Sequence, residues 1–324
     1  MTSAPAKTPH DEIPAGPRKA ARPGRGGAPG PAARRAERRL RRAANRDSVP
    51  HAMRGSTGGR IGRGLLLVLA AVVTVFPFYA MVVLSLKPAA AVDFPGSLVP
   101  WPLGGEAYES VMNSQDVPRW LFNTLLYSLA SVVGVLLLSS LAGYAFAKKR
   151  FPGREAMFWS FLSMVMVPYH VTMIPTFAMI AKLGGVDTYW GLIVPTLANA
   201  QAVFLMRQFI QGLPDELFEA ARLDGCSELQ IFGRIVLPLL KPILATLGVF
   251  VFLWHWNDFL WPLVIGQSTD MRTLTVGIAS LQQQNVPLNV VLSGSVIAFV
   301  PIFAAYLVGQ RYFTEGVTAS GIKG

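Results

Sequence analysis

The side chains able to do chemistry in this 324-residue chain gather in two places. One is Trp254-His255-Trp256-Asn257-Asp258-Phe259-Leu260-Trp261-Pro262, set inside an apolar run. An amide and a carboxylate can hydrogen-bond hydroxyl groups, and indole faces offer an apolar platform, so the group suits recognition of a sugar-like solute. On one continuous helix, Trp254, Asn257, Asp258 and Trp261 share a face. The same residues also suit an aromatic belt at a membrane interface combined with a polar contact between subunits, and both readings stand at this point.

The other place is the stretch from Leu213 to Pro242. Pro214 suits a first helical turn, with Asp215, Glu216 and Glu219 near the positive end of the helix dipole. Leu213, Leu217 and Ala220, with Ala221 beside them, form a narrow apolar stripe, and Gly225 supplies a left-handed stop. The result is a helix of three turns at most, roughly 15 Å long. Ser227 and Gln230 then have the spacing of a capping box that opens a second helix. Small residues at Ala220 and Ala221 allow a partner's groove to approach closely, so the element reads as a plug for a socket on another protein. An amphipathic helix lying on a lipid surface is the plainer alternative, but it requires no fixed glycine or proline.

Other chemistry is missing. His170 and His255 have no second ligand at metal spacing, Cys226 is the only cysteine, and no phosphate-binding Gly-Lys-Ser/Thr loop occurs. Ser293-Gly294-Ser295 could evoke a hydrolase, yet no histidine follows His255.

The elements that must position these groups are membrane helices. Hydrophobic residues make up 52% of the chain and charged residues only 15%, against about 25% charged in a soluble domain. Residues 1–63 hold 15 Lys or Arg and four acids, which accounts for the whole net charge of +11; residues 64–324 hold 14 of each. Charge therefore argues for no nucleic-acid partner. The tail over residues 1–63, densest in arginine at Arg34–Arg42, is expected to be a disordered anchor near anionic lipid. Six apolar runs can each cross about 30 Å of hydrocarbon: Gly64–Leu86 with Pro77, Trp120–Ala147, Ala156–Ala181 with Pro168 and Pro175, Tyr189–Ile210 with Pro195, Ile243–Ile265, and Val290–Tyr312. Basic residues put the tail, Lys148–Arg154, the loop over 211–241 and the C-terminus on one side, so both termini are expected to be cytoplasmic. Asp258 then lies in the outer half of the bilayer, where a carboxylate normally faces protein or water. Ser139 and Gly143, four apart, suit close helix packing.

Over residues 64–324 the chain resembles the permease subunits of bacterial binding-protein-dependent ABC importers of the carbohydrate-uptake branch. The residues carrying the likeness are Asn123-Thr124-Leu125, Leu141–Ala147, and Glu219-Ala220-Ala221 with Asp224, Gly225, Ile235, Leu237 and Pro238. Trp256–Leu263, Gln310–Phe313 and the terminal Gly321-Ile322-Lys323-Gly324 complete it. The resemblance implies an all-α, six-span type I importer permease in a bacterial plasma membrane, working with a second permease, two cytoplasmic ATPases and an extracytoplasmic binding protein. It implies that the Glu219–Gly225 helix enters an ATPase cleft, that Asn123, Trp254, Asn257, Asp258 and Trp261 are candidates for the solute path, and that ATP and magnesium bind the partner, with no cofactor in this chain. Rival expectations are an importer permease for a polyol or glycerol phosphate ester, an ion-gradient-driven transporter and a membrane hydrolase.

Overall fold

The computed structural model describes residues 57–92, 98–113, 116–284 and 286–320, and every regular element among them is helical. Nearly all of the basic tail and the terminal Gly321–Gly324 lie outside the described residues. The chain divides into two compact units, Met1–Ala71 and Val72–Gly324; the contacts below belong to the second.

Three helices are long and apolar enough to cross a membrane unbroken. They lie in α1 (Thr57–Ser85), α3 (Val117–Lys148) and the last helix, α13 (Leu288–Ser320). α1 starts at Thr57, so the last residues of the stretch assigned to the tail are helical, and it runs on through Pro77. A short helix, α2 (Glu106–Asn113), lies between α1 and α3.

The third and fourth apolar runs are not single rods as expected. The third comprises α4 (Arg154–Ser163), a 3-10 turn and α5 (Tyr169–Lys182), bent by 104°. Pro168 disfavours helical backbone at the residue before it, and Val167 is extended at φ −82°, ψ 120°. The fourth comprises α6 (Tyr189–Ile193), a turn at Pro195 and α7 (Ala200–Gln211), bent by 45°. Asn199 restarts this run, its side chain accepting from Ala202 N.

After the loop helices α8 (Asp215–Leu223) and α9 (Glu228–Ile231), a π-helical turn over Phe232–Val236 and a short turn at Leu237–Leu239 lead to α10 (Lys241–Trp256). The bend between the loop segment and α10 is 76°. The fifth run also differs from expectation: it stops at Asn257 and resumes as α11 (Leu260–Ile265). Asn257 Nδ2 donates to Leu253 O at 2.8 Å, capping α10 from its own C-terminal end. Counting each bent pair as one crossing gives six spans.

α3 is the axis of the second unit. It supplies Val135 and Tyr144 to a cluster around the loop helices, Tyr127 to one with Trp261 and Leu192, and Val117 and Trp120 to one with Trp256 and Leu274. Gly143 permits its closest approach to α7, since a Cβ there would lie 2.6 Å from Met206 Cβ. The helix α12 (Leu274–Gln283) packs on the other end, where a Cβ at Gly277 would lie 2.0 Å from the Trp120 ring.

Candidate functional site

α8 is bounded by local chemistry at both ends. Pro214 sits just before the first turn rather than inside it, at φ −57°, ψ 134°, with Asp215 and Glu216 opening the helix. At the other end Gly225 is left-handed, φ 75°. Cys226 N donates to Ala221 O and Gly225 N to Arg222 O, both at 3.0 Å, the paired bonds of a Schellman stop. Ser227 and Gln230 form the expected capping box. Pro238 lacks the N–H that would continue the helical ladder, and the chain passes it through the π-helical turn.

The buried face of α8 differs from the expected stripe. Phe218 and Ala221 are buried, while Leu217 and Ala220 are exposed and Leu223 is 88% exposed. The reason is a tertiary one: Phe218 stacks on Tyr144 of α3 with ring centroids 6.1 Å apart, and Lys148 Nζ lies 4.9 Å above the Phe218 ring. The helix therefore turns a surface of Leu217, Glu219, Ala220, Leu223, Asp224 and Gly225 outward. Ile235 and Leu237 are half-buried behind it and Pro238 is exposed.

Charges tie this loop to the end of α3. Lys148 Nζ donates to Leu213 O at 2.7 Å and to Asp215 Oδ1 at 2.6 Å. Lys149 pairs with Glu228, which also accepts from Tyr144 OH at 2.7 Å and from Arg222 Nε at 3.2 Å. The Lys149 ammonium, followed by the Tyr144 hydroxyl, holds the Glu228 carboxyl down at about 2. The Lys148 hydrogen bond likewise holds Asp215 below its usual value.

The second group lies where the three broken spans meet α3. Asp258 Oδ2 accepts from Tyr127 OH at 2.8 Å, and its carbonyl accepts from Thr275 Oγ1 at 2.8 Å. Thr196 of the fourth span lies 3.3 Å from Ser131 of α3, hydroxyl to hydroxyl, and Met173 and Ile180 of α5 pack in the cluster that holds Tyr127 and Trp261. The expected shared face is split by the helix break: Trp254 is 70% exposed and Asn257 exposed, whereas Trp261 is buried at 1% and donates Nε1–H to Leu192 O at 3.0 Å. Asn123 is fully buried one helical turn before Tyr127 on α3. Its Nδ2 donates to the carbonyls of Asp270 and Arg272 at 2.7 and 2.8 Å, and its Oδ1 accepts from Tyr189 OH.

Sequence reasoning missed Tyr127 and Thr196, because their partners lie on other helices. It also read Lys148-Lys149 for topology alone. Among the described residues no group of three or more His, Cys, Asp or Glu is placed to hold a metal ion.

Residues 136–318 match the family described as binding-protein-dependent transport system inner membrane component. The arabinooligosaccharides transport system permease protein AraQ of Bacillus subtilis is 36% identical over 270 residues, covering 82% of this chain and 96% of that protein. The sn-glycerol-3-phosphate transport system permease protein UgpE of Yersinia enterocolitica is 36% identical over 266 residues, covering 79% and 95%. Among solved structures, a chain of a bacterial ABC transporter involved in the import of the acidic polysaccharide alginate superposes with a TM-score of 0.70 at 26% identity, covering 80% of this chain and 99% of that one.

Proposed function

The chain belongs to the family of binding-protein-dependent transport system inner membrane components, and on that premise we propose that it passes a neutral sugar or oligosaccharide inward while α8 takes its drive from an ATPase. It is the membrane-embedded, non-catalytic permease subunit of an ABC importer, acting with a second permease, ATPase subunits and a solute-binding protein.

The outward surface of α8 carries the coupling reading. Glu219, Ala220, Asp224 and Gly225 form the outer face of the plug, Ala221 seats it against the core, and Ile235, Leu237 and Pro238 fix the chain behind it. A short exposed helix with small residues, closed at fixed points, suits insertion into a groove. ATP and its magnesium bind the ATPases rather than this chain. The loop lies in the cytoplasm with both termini, and the membrane is the bacterial plasma membrane. The permease domain is taken to span residues 64–324, preceded in sequence by the basic tail over residues 1–63.

Asp258, Asn257 and the exposed ring of Trp254 face the solute path, while buried Asn123 and Trp261 hold its walls. Broken spans are where transporters build solute sites, because unwound backbone is tolerated only beside protein or water. Residues 164–169, 197–199 and 257–259, at the three breaks, contain no Lys or Arg to pair with a phosphate. That favours a hydroxylated neutral solute over the glycerol phosphate ester, the second reading, which one relative's name supports.

The test is uptake by proteoliposomes containing the full complex, with binding protein loaded with either pentose oligosaccharide or glycerol phosphate. ATP-dependent uptake of the oligosaccharide alone is expected. Uptake of glycerol phosphate alone would overturn the solute assignment, and uptake without ATP would overturn the ATPase coupling.

A further inference from the structure

We propose that α3 is the rod that carries the displacement of α8 to the opposite membrane face, with Tyr144, Lys149 and Glu228 as positioning residues at one end and Trp120 and Thr124 at the other. This rests on α8 being the ATPase plug.

α3 is unbroken over 32 residues, about 46 Å at 1.5 Å per residue, and its one proline, Pro118, lies in the first turn where it costs no hydrogen bond. The covalent routes out of α8 are softer. Forward, the chain passes Gly225, a π-helical turn, Pro238 and a 76° bend before α10; backward, it passes Gly212 and Pro214 before α7.

The polar contacts bypass both routes. Lys148 grips the chain before α8 through Leu213 O and Asp215, and Lys149 and Tyr144 grip it after α8 through Glu228. Exposed ion pairs alone contribute about 0–1 kcal/mol. Here the Lys148 side chain and Tyr144 are buried although their partners Asp215 and Glu228 are open to water, so the hold rests on the fixed buried ends and on the Lys148 bond to Leu213 O rather than on the ion pairs. Displacing α8 therefore displaces the end of α3.

The far end of α3 is fastened just as closely. Trp120 Nε1 donates to Thr269 O at 3.2 Å, and Thr124 Oγ1 accepts from Leu274 N at 2.7 Å. With Gly277 pressed on the Trp120 ring, residues 269–277 follow any shift of the helix. A rigid element fixed at both ends is the physical requirement for carrying a displacement from one end to the other.

The experiment uses the complete reconstituted complex and reads ATP hydrolysis stimulated by solute-loaded binding protein over basal hydrolysis. Glu228→Gln removes the charge facing Lys149 yet leaves an acceptor for Tyr144. Thr124→Val is isosteric and strands Leu274 N–H. Each variant is expected to keep assembly and basal hydrolysis but lose stimulation about fivefold, the low end of typical coupling free energies. The double variant should be no worse than the worse single one, because both cut a single path. Losses that multiply, or stimulation that stays intact in either single variant, would overturn the rod. Should Thr124→Val not assemble, Thr124→Ala also removes the hydroxyl that accepts from Leu274 N, with no added bulk, and carries the same expectation. Failure of the plug reading would differ: a permease lacking α8 would still capture the ATPase.

Discussion

The loop around α8 and the junction around Asp258 are built by opposite means. In the loop, Gly225, Ser227 and Gln230 act on backbone groups within five residues of themselves, so the geometry is written into neighbouring letters. In the junction, Asp258 meets Tyr127 across 131 residues and Trp261 meets Leu192 across 69. A stop made by local hydrogen bonds survives transfer from sequence to structure; a site made where three helices break does not.

The sharpest way to break that contrast is Gly225→Val. The position has open space where a Cβ would go, so the penalty is purely conformational, about 1–2 kcal/mol for a left-handed backbone. Loss of ATPase capture and of transport is expected with membrane insertion unchanged, measured by co-purification and by membrane fractionation. Gly225→Asn, which tolerates that backbone, should retain most capture, and a Val variant that captures normally would sink the plug.

Asp258→Leu comes next. It strands the Tyr127 hydroxyl at a cost of about 1–3 kcal/mol and removes an acceptor from the path. Uptake should fall several-fold further than recovery of the assembled complex, whereas equal losses would make Asp258 a packing residue. Ser227→Ala is the smallest change. It removes one half of the capping box and should cost about 1 kcal/mol, visible as a lower thermal midpoint with the uptake rate nearly unchanged.

The same contrast explains what could be read in advance. The helix stop at Gly225 and the start at Ser227 follow from residue type, and the close approach at Gly143 was visible as a small residue in an apolar run. The buried face of α8 was not, because Phe218 rather than Leu217 turns inward only where Tyr144 and Lys148 wait for it. The break at Asn257–Phe259 was not legible, since Trp254–Trp261 reads as one continuous helix, and Pro168 reads only as a proline inside a single span. A proline indicates that a helix is weakened there, whereas the direction of the resulting bend depends on the neighbours that satisfy its freed groups.

The π-helical turn at Phe232–Val236 preserves a phase. The wider turn takes up one surplus residue, because five residues at its repeat rotate the chain about as far as four in an ordinary helix. Deleting one of those five would shorten the turn and leave Trp254 and its neighbours nearly in phase. The stretch between the plug and the following span thus works as an expansion joint, able to gain or lose a residue without twisting one against the other.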